Sequence, residues 1–445
     1  MRYIRIFMFL LLLGCISLKI QSQDKKWTLE ECMLYAGQNS PRKNKQDAQN
    51  SIYHQNYIEA IGALLPSLQG STNAYFNFGR GLDAETNTYT DINSFSNNYS
   101  LYTSLTLFDG LSKINRVKMQ KVTKLMGKQQ LQKEKDLIAY ETMEAFFNVL
   151  YNVEMIKLAE KQLDESSDNL KQTKRMEELG VKGLPDVAEM SAKAAADRYN
   201  LTRQKNIHTI SVIVLKEKMN FPIDQDLEII YSEKEDLIVN ANESALSIYE
   251  QAKDYNPKAQ ISKATIQAQE YSYKASKGNL FPTISVDAGF SSNFSRYMDG
   301  SDYISFKDQL RDRRGHYVGF TLSVPLFSGF SRTASVKRSK AQLIITRSEQ
   351  EEAMRTLYSE IEQAVADEKG QAEEYKQAQK QTESMEIAHK MNQRKYTEGL
   401  ISALELHTSS NRLVQAQAEE LNASLKYELK HRLVNYYKGI PFISE

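Results

Sequence analysis

The chain of 445 residues has few of the side chains on which most enzyme sites are built. It has two cysteines, Cys15 and Cys32, which cannot form a disulfide framework if the first is removed with a leader. Its six histidines show no metal-ligand spacing, and the sequence contains no P-loop, GxGxxG or GxSxG motif. We therefore expect a protein that is not an enzyme, with no catalytic residue, no cofactor and no metal site.

A surplus of charge of either sign is also absent. Lys and Arg number 57 and Asp and Glu number 56, whereas a nucleic-acid-binding protein normally carries a basic face, so we expect no nucleic-acid partner. After residue 20, no apolar run is long enough for a transmembrane helix. This absence does not exclude membrane-spanning strands, because their alternating pattern averages to low hydropathy.

The amino terminus has the pattern of an export signal. Within residues 1–22, Arg2 and Arg5 precede an apolar stretch over 6–18, and a short polar segment follows. An alternative is a lipoprotein signal, because the four residues that end at Cys15 resemble a lipobox. The cysteine is then either lipidated or removed with the signal peptide. Both alternatives predict an exported protein.

The rest of the sequence contains the same plan twice, with a period of about 218 residues. Each half reads as helix, strand, loop, strand, long helix, turn and helix. We assign the first repeat to 23–221 and the second to 257–438, with an equatorial or linker segment at 222–256 and a C-terminal tail at 439–445. The matching segments are 64–68 with 280–284, 107–110 with 326–329, and 180–186 with 399–405.

Four segments alternate apolar and polar residues, as strands with one buried face do. Each has about 10 to 12 residues, enough for a tilted strand to cross a bilayer. The polar positions are mostly Ser, Thr, Asn and Gly, which suits a wet lumen; a soluble sandwich with one dry face is the alternative. Four strands cannot close a barrel and open edges are not tolerated in lipid, so a pore requires at least three copies. The strands are predicted at about 68–80, 97–108, 283–294 and 316–327.

The last of these strands shows the alternation most simply. Phe320 and Leu322 lie on its apolar side, and Thr321 and Ser323 lie on its polar side. In the second strand the odd positions, up to Leu107, are mostly apolar.

The predicted helices are unusually long. Two proline-free stretches, at about 111–178 and 331–397, would each extend for roughly 100 Å. Placed end to end, the two shorter helices of each half match one long helix, which suggests a cylinder of long helices and stacked pairs. A soluble coiled-coil scaffold is the alternative, but it leaves the strands unexplained. The shorter helices are predicted at about 41–63, 184–221, 257–279 and 402–438.

Four features of the sequence together resemble the TolC-like outer-membrane efflux proteins (outer membrane factors). They are the leader, the sequence Trp27-Thr28-Leu29-Glu30-Glu31-Cys32, the paired Leu-Phe-x-Gly strand ends and the duplicated Gly-(x5)-Asp/Glu turns. The resemblance extends over essentially the whole mature chain. It implies a mainly α-helical fold with a membrane β part. A trimeric α-helical barrel with coiled-coil packing would continue into a transmembrane β-barrel of twelve strands, four from each chain.

The same resemblance implies a location and partners. The homotrimer would lie in the cell outer membrane, in contact with its lipid, with the helical part in the periplasm. It would dock to a periplasmic adaptor (membrane fusion protein) and an inner-membrane pump. The loops 79–97 and 295–315 would face the outside of the cell, and the two helix turns would form the inner periplasmic tips.

The resemblance also implies site residues at these tips. The carboxylates after each tip glycine would line a periplasmic aperture formed by Asp186, Glu189 and Glu405. Thr408 stands where the family often has a second acid. An alternative is that acids in a first helical turn only complement the helix dipole. Lys182 and Arg394 are candidate partners of the carboxylates. The tip turns, expected to dock the adaptor, contain Leu179, Gly180, Val181, Gly399, Leu400 and Ile401.

The function implied is that of an outer-membrane exit duct for a tripartite efflux system, which passes small molecules such as drugs to the outside. Metal ions are another substrate class for the same duct. A duct for type I protein secretion would use the same architecture, and a non-conducting periplasmic scaffold is an alternative of a different class. Substrate specificity would reside in the pump, so the sequence does not name the substrate or the pump class.

Overall fold

The computed structural model describes residues 25–82, 87–91, 93–231, 243–298 and 304–443. The predicted signal peptide and Cys15 lie outside these ranges. The chain divides into two compact units, and each unit combines segments from both sequence repeats. Unit 1 contains Met1–Lys43, Lys135–Ser244 and Glu362–Glu445, and unit 2 contains Asn44–Glu134 and Ala245–Ile361.

Most of the described chain is helical. No helix in this part of the chain is both long enough and apolar enough to cross a lipid bilayer. The helices are α1 (Leu29–Asn39), α2 (Pro41–Gly62), α3 (Ser112–Glu178), α4 (Leu184–Met219), α5 (Ala245–Tyr255), α6 (Pro257–Gly278), α7 (Phe306–Asp312), α8 (Ser331–Thr397) and α9 (Ala403–Tyr437).

The strands form three separate sheets. The largest has four antiparallel strands in the order β2-β5-β7-β8, and two small sheets pair β1 with β6 and β3 with β4. The strands are β1 (Lys26–Trp27), β2 (Ser67–Asn77), β3 (Arg80–Leu82), β4 (Tyr89–Asp91), β5 (Ser94–Phe108), β6 (Glu228–Ile229), β7 (Thr283–Tyr297) and β8 (Gly315–Ser323).

The register of the four-stranded sheet confirms the predicted alternation. Val286 lies directly between Leu105 on β5 and Phe320 on β8. Directly opposed residues point to the same side of a sheet, so one face is mostly apolar and the other is polar. The apolar face includes Leu68, Ala74, Phe76, Leu101, Leu105, Phe108, Ile284, Val286, Ala288, Phe290, Val318, Phe320 and Leu322.

A bulge changes the end of β5. Thr106 pairs with Ser285, but the next pair joins Phe108 to Ile284, so Leu107 is an extra residue without an opposite partner. The simple alternation is therefore interrupted at Leu107, and Phe108 is the residue opposite Ile284. The bulge arises from pairing with β7, which a pattern within one strand does not reveal.

Two predicted strands end earlier than expected. The first stops at Asn77 because Gly79, with φ of +128°, turns the chain before the short strand β3 begins. The last stops at Ser323, just before Pro325, which has no N–H to donate to a ladder. The other two are longer than expected: β5 begins at Ser94 and β7 continues to Tyr297.

The connection between β7 and β8, expected as a loop, contains the short helix α7. Ser305 accepts a hydrogen bond from the backbone N–H of Asp308 through its hydroxyl, which starts the helix. The side chain of Gln309 accepts from the N–H of Ser295 and donates to its carbonyl, at 3.0 and 2.9 Å. These bonds satisfy the backbone of β7 beyond Ser291, where β8 no longer pairs with it.

The passage from β5 into α3 depends on glycine. Gly110 has φ of +68° and Leu111 has φ of +65°, and the same reversal recurs at Gly329 and Phe330. At the first position the backbone also crosses Gly278 of α6 so closely that a Cβ on Gly278 would lie 2.6 Å from the carbonyl oxygen of Gly110. This crossing leaves no room for a side chain on either residue.

In unit 1 the core forms where α1 packs against α3 and α4. The helix α1 begins at a capping box in which the hydroxyl of Thr28 accepts from the N–H of Glu31 and the Glu31 carboxylate accepts from the N–H of Thr28. β1 pairs in parallel with β6, which lies in the predicted linker segment. The fully buried core includes Cys32, Met33, Ala36, Met143, Phe146, Leu215 and Met219.

The described part of the C-terminal tail packs onto this core. Phe442 stacks on Tyr436, with ring centroids 4.6 Å apart and planes at 7°. The hydroxyl of Tyr436 donates to the carboxylate of Asp136 at 2.9 Å, and Phe442 also contacts Tyr140.

Candidate functional site

The two helix turns that the sequence singles out close in the same way. After α3, Gly180 has φ of +73°, and the N–H of Val181 donates to the carbonyl of Met176 at 2.8 Å. After α8, Gly399 has φ of +75°, and the N–H of Leu400 donates to the carbonyl of Lys395 at 2.8 Å. Both are six-to-one hydrogen bonds across a left-handed glycine, the arrangement that ends many helices.

Two of the three predicted aperture carboxylates bind backbone at the helix starts. The N–H of Gly183 donates to Oδ2 of Asp186 at 3.2 Å. The N–H of Ser402 donates to Oε2 of Glu405 at 3.1 Å, and the hydroxyl of Ser402 accepts from the N–H of Glu405. These bonds satisfy N–H groups that have no partner inside the helix, so both acids stabilise the first turns of α4 and α9.

Glu189 lies one helical turn after Asp186 and is half-buried. Both charges act on Tyr396, which is fully buried and whose hydroxyl lies 2.7 Å from that of Thr173. Burial raises the pKa of Tyr396, and the negative charges of Asp186 and Glu189 raise it further, while the hydrogen bond with Thr173 lowers it. Asp186 and Glu189 of the first repeat therefore interact electrostatically with Tyr396 of the second repeat.

Lys182 joins the two turns. Its Nζ donates to the carbonyl of Ile401 at 3.3 Å and lies 5.0 Å from the centre of the Tyr396 ring. The hydrogen bond of the Lys182 ammonium goes to the opposite turn, and its pairing with the aperture carboxylates stays a prediction. Within the described residues of one chain, no ion pair joins Lys182 or Arg394 to these carboxylates.

The apolar residues of the turns divide into an exposed set and a packed set. Leu179, Val181 and Leu400 have 73%, 62% and 69% of their surface exposed. Ile401, by contrast, packs against a small buried cluster formed by Met190, Tyr396, Ala403 and Leu406. The turns therefore present an apolar surface on a rigid base.

Sequence reasoning missed part of this surface. Leu184 and Leu404 are exposed, and they are the first residue of α4 and the second residue of α9. The signal was available in the repeat, because both residues follow their tip glycines at nearly the same distance. We use the name tip surface for Leu179, Val181, Leu184, Leu400 and Leu404.

Sequence reasoning also missed a buried polar network behind the tips. Lys193 and Asp197 are both more than nine-tenths buried and form an ion pair of 2.6 Å, and Lys193 also donates to Oδ1 of Asn411 at 2.9 Å. Nearby, Gln162 donates to Ser410 at 2.8 Å. Lys193 and Asn411 are separated by the repeat period, which is the signal that could have found them.

His407 lines a small cavity beside this network. Burial lowers the pKa of His407, and the positive charge of Lys193 lowers it further, while Asp197 and Glu189 act in the opposite direction. In the described ranges, no three His, Cys, Asp or Glu side chains are placed to hold a metal ion.

Comparisons with known proteins agree with the fold. A sequence model of the family described as "Outer membrane efflux protein" matches residues 248–432. The chain is 23% identical, over 412 residues, to the outer membrane efflux protein BepC of Brucella suis biovar 1 (strain 1330), with 89% of this chain and 83% of BepC covered.

Solved structures of the same architecture are also similar. The chain matches CusC with a TM-score of 0.79, at 13% identity, over 92% of this chain and 91% of that one. It matches the CmeC outer membrane channel of Campylobacter jejuni with a TM-score of 0.77, at 14% identity, over 94% of this chain and 87% of that one. It matches the open state of the MtrE outer membrane channel of Neisseria gonorrhoeae with a TM-score of 0.74, at 16% identity, over 94% of this chain and 90% of that one.

Proposed function

Because the chain belongs to the outer membrane efflux protein family, we propose that three copies form the exit duct of a tripartite efflux system in the cell outer membrane. The duct takes small molecules such as drugs from a periplasmic adaptor and an inner-membrane pump and releases them outside the cell. The chain acts as a passive conduit, and the pump selects the substrate.

The observation that carries the proposal is the apolar face of the β2-β5-β7-β8 sheet. Val318, Phe320 and Leu322 alternate along β8 and are all largely exposed, although their side chains are apolar. Lipid is the environment that suits such a face. The opposite face consists of polar and small residues, as a wet lumen requires.

The edges of this sheet support assembly into a trimer. β2 and β8 are its outer strands, and each has one side without a strand partner within the described chain. An open edge is not tolerated in hydrocarbon, so β8 of one copy would pair with β2 of the next. Three copies give twelve strands, wide enough for a lumen, whereas two copies give eight strands with a filled interior.

We assign adaptor docking to the tip surface. Exposed leucines and a valine on rigid turns offer an apolar contact area that a coiled-coil partner could cover. Replacing Leu179 and Leu400 together by Ser should weaken cross-linking to the adaptor and leave trimer assembly unchanged. A matched control is Ile401→Ser, which disturbs the packed base instead and should reduce stability. Unchanged cross-linking in the double variant would exclude docking through these leucines.

Replacing Gly180 or Gly399 by Val tests the same surface through the backbone. Each glycine has a positive φ, which β-branched residues adopt at a cost of about 1 to 3 kcal/mol. We expect a distorted tip, weaker adaptor engagement and an intact barrel. Wild-type export by both variants would show that the tips are not the docking surface.

We further propose that Asp186, Glu189 and Glu405 line the periplasmic aperture. Three copies would place nine carboxylates at one end of the tunnel, which attracts cations over a Debye length of about 8 to 10 Å. Two of these carboxylates accept backbone hydrogen bonds at helix starts, so they combine a structural role with the proposed one.

The aperture proposal predicts a change in the channel current. Replacing Asp186 and Glu405 by Ala should raise the resting conductance and reduce cation preference in planar bilayers. Asn and Gln at the same positions provide a control, because they remove charge but keep an oxygen acceptor for the helix start. Unchanged current and selectivity in both double variants would leave these acids as helix-start residues only.

The function is tested by purifying the protein in detergent, measuring its mass by light scattering and recording conductance in planar bilayers. A trimer that forms stable pores is expected, and a detergent-free soluble monomer would favour the scaffold alternative. A deletion strain that accumulates dyes or drugs, and recovers with the wild-type gene, would favour small-molecule efflux over protein secretion. Loss of a secreted protein with normal drug tolerance would favour secretion instead.

A further inference from the structure

The polar face of the β2-β5-β7-β8 sheet carries one charged side chain among its paired residues. On the four strands this face consists of Ser, Thr, Asn, Gln, Gly and Tyr, with the single exception of Asp287 in β7. Asp287 lies between Ser104 on β5 and Gly319 on β8.

The carboxylate is held by hydroxyl groups from three strands. The hydroxyl of Tyr102 donates to Oδ1 of Asp287 at 2.8 Å. The hydroxyls of Ser285 and Thr321 lie at 3.3 and 3.4 Å from Oδ2. These contacts fix the position of the charge on the sheet.

The space beside the carboxylate is open. Gly319 lies directly opposite Asp287, and a Cβ built on it would meet no atom within 4 Å. A mobile ion on this side of the sheet could therefore approach the carboxylate.

One cation that contacts this face is Lys113, at the start of α3. Its Nζ donates to Oγ1 of Thr106 at 2.9 Å, and Thr106 is opposite Ser285. Ser285 and Asp287 are two residues apart, or about 7 Å along the strand, which is within one Debye length of about 8 to 10 Å. Lys113 therefore offsets part of the field of Asp287.

A second cation is too far away to do so. Arg313 donates to the hydroxyl of Ser295 at 2.7 Å. Ser295 lies eight residues beyond Asp287 on β7, or roughly 26 Å along the strand, where salt screens the interaction.

We propose that Asp287 sets the ion preference of the duct at the level of the strands, with Lys113 as the opposing charge. The proposal rests on the proposed function, because it requires a lumen closed by three copies with the polar face inward. The three copies of Asp287 then form one ring of carboxylates at a common height. This ring favours cations in the strand region, independently of the proposed aperture carboxylates.

The test is the reversal potential of single channels in a salt gradient, recorded for four variants. Asp287→Asn keeps one acceptor oxygen for the hydroxyls but removes the charge, and it should lower the cation-to-anion permeability ratio by about twofold or more. Tyr102→Phe removes one hydroxyl contact but keeps the charge, so the ratio should remain at the wild-type value. Lys113→Gln should raise the ratio.

Gly319→Lys provides a variant that leaves Asp287 in place. The open space accepts the new side chain, and the opposite charges face each other across the strands, which is a favourable pair. We expect the same loss of cation preference as in Asp287→Asn. This variant keeps the test decisive if Asp287→Asn fails to assemble.

Two results would overturn the proposal while the proposed function stands. One is an unchanged permeability ratio in conducting Gly319→Lys and Asp287→Asn trimers. The other is an equal change in Tyr102→Phe, which would attribute the effect to the hydroxyl network instead of the charge. A wild-type protein that forms no channel would overturn this proposal together with the exit duct.

Discussion

The membrane orientation of the sheet can be tested on two adjacent residues of β8 that lie on opposite faces of the sheet. Phe320 is on the apolar face, opposite Val286, and 76% of its surface is exposed in the single chain. Thr321 is on the polar face, opposite Ser285, and its hydroxyl lies 3.4 Å from the carboxylate of Asp287. Arginine at these two positions should therefore have very different consequences.

For Phe320→Arg the guanidinium must enter hydrocarbon near the middle of the strand. The cost is about 2 to 4 kcal/mol per chain at the bilayer midplane, or roughly a 30- to 900-fold loss in the folding equilibrium at 1.36 kcal/mol per tenfold. Leu322→Arg should cost less, because Leu322 lies next to the strand end and the cost decreases towards the interface.

For Thr321→Arg the guanidinium stays in water and lies next to Asp287, so we expect little change. The assay is refolding into lipid vesicles across a urea series, with trimer detected as the band that unheated detergent gels resolve. Phe320→Arg should shift the midpoint strongly, and Thr321→Arg should not. Equal losses for both variants would refute the assignment of the apolar face to lipid.

Three further predictions concern glycine, histidine and cysteine. Gly110→Ala should destabilise the protein far more than Gly180→Ala in urea unfolding. Both glycines have positive φ, but only Gly110 crosses another backbone, at Gly278, whereas a Cβ on Gly180 meets nothing within 4 Å. Equal effects of the two substitutions would show that the crossing is not tight. Burial lowers the pKa of His407 below its ordinary value of 6.5, so the unfolded chain takes up a proton first and stability should decrease as pH falls below about 6.5. His407→Gln should reduce the slope of stability against pH between pH 7 and 5, and an unchanged slope would exclude this contribution. Burial raises the pKa of Cys32 to about 12, so iodoacetamide at pH 8 should label it only after unfolding, and rapid labelling of the native protein would contradict its burial.

The helices and the sheet faces follow from local sequence. The long helices α3 and α8 were predicted to within about one residue, because they contain no proline and end where Gly180 and Gly399 permit a left-handed turn. The two faces of the sheet follow from alternation alone, because side chains on a strand point to opposite sides in turn. The repeat also indicated that the two turns would be alike, and their hydrogen bonds are the same.

Other features depend on residues far apart in the chain, and only the tertiary structure decided them. The bulge at Leu107 exists because β5 pairs with β7, nearly 180 residues later, and that pairing sets which residue is left over. Lys182 could in principle serve the carboxylates in its own turn, but the opposite turn places the carbonyl of Ile401 within its reach. The hydroxyls of Tyr102 and Thr321 beside Asp287 are likewise invisible in the sequence, because a polar residue on a strand does not reveal which distant donor will bind it.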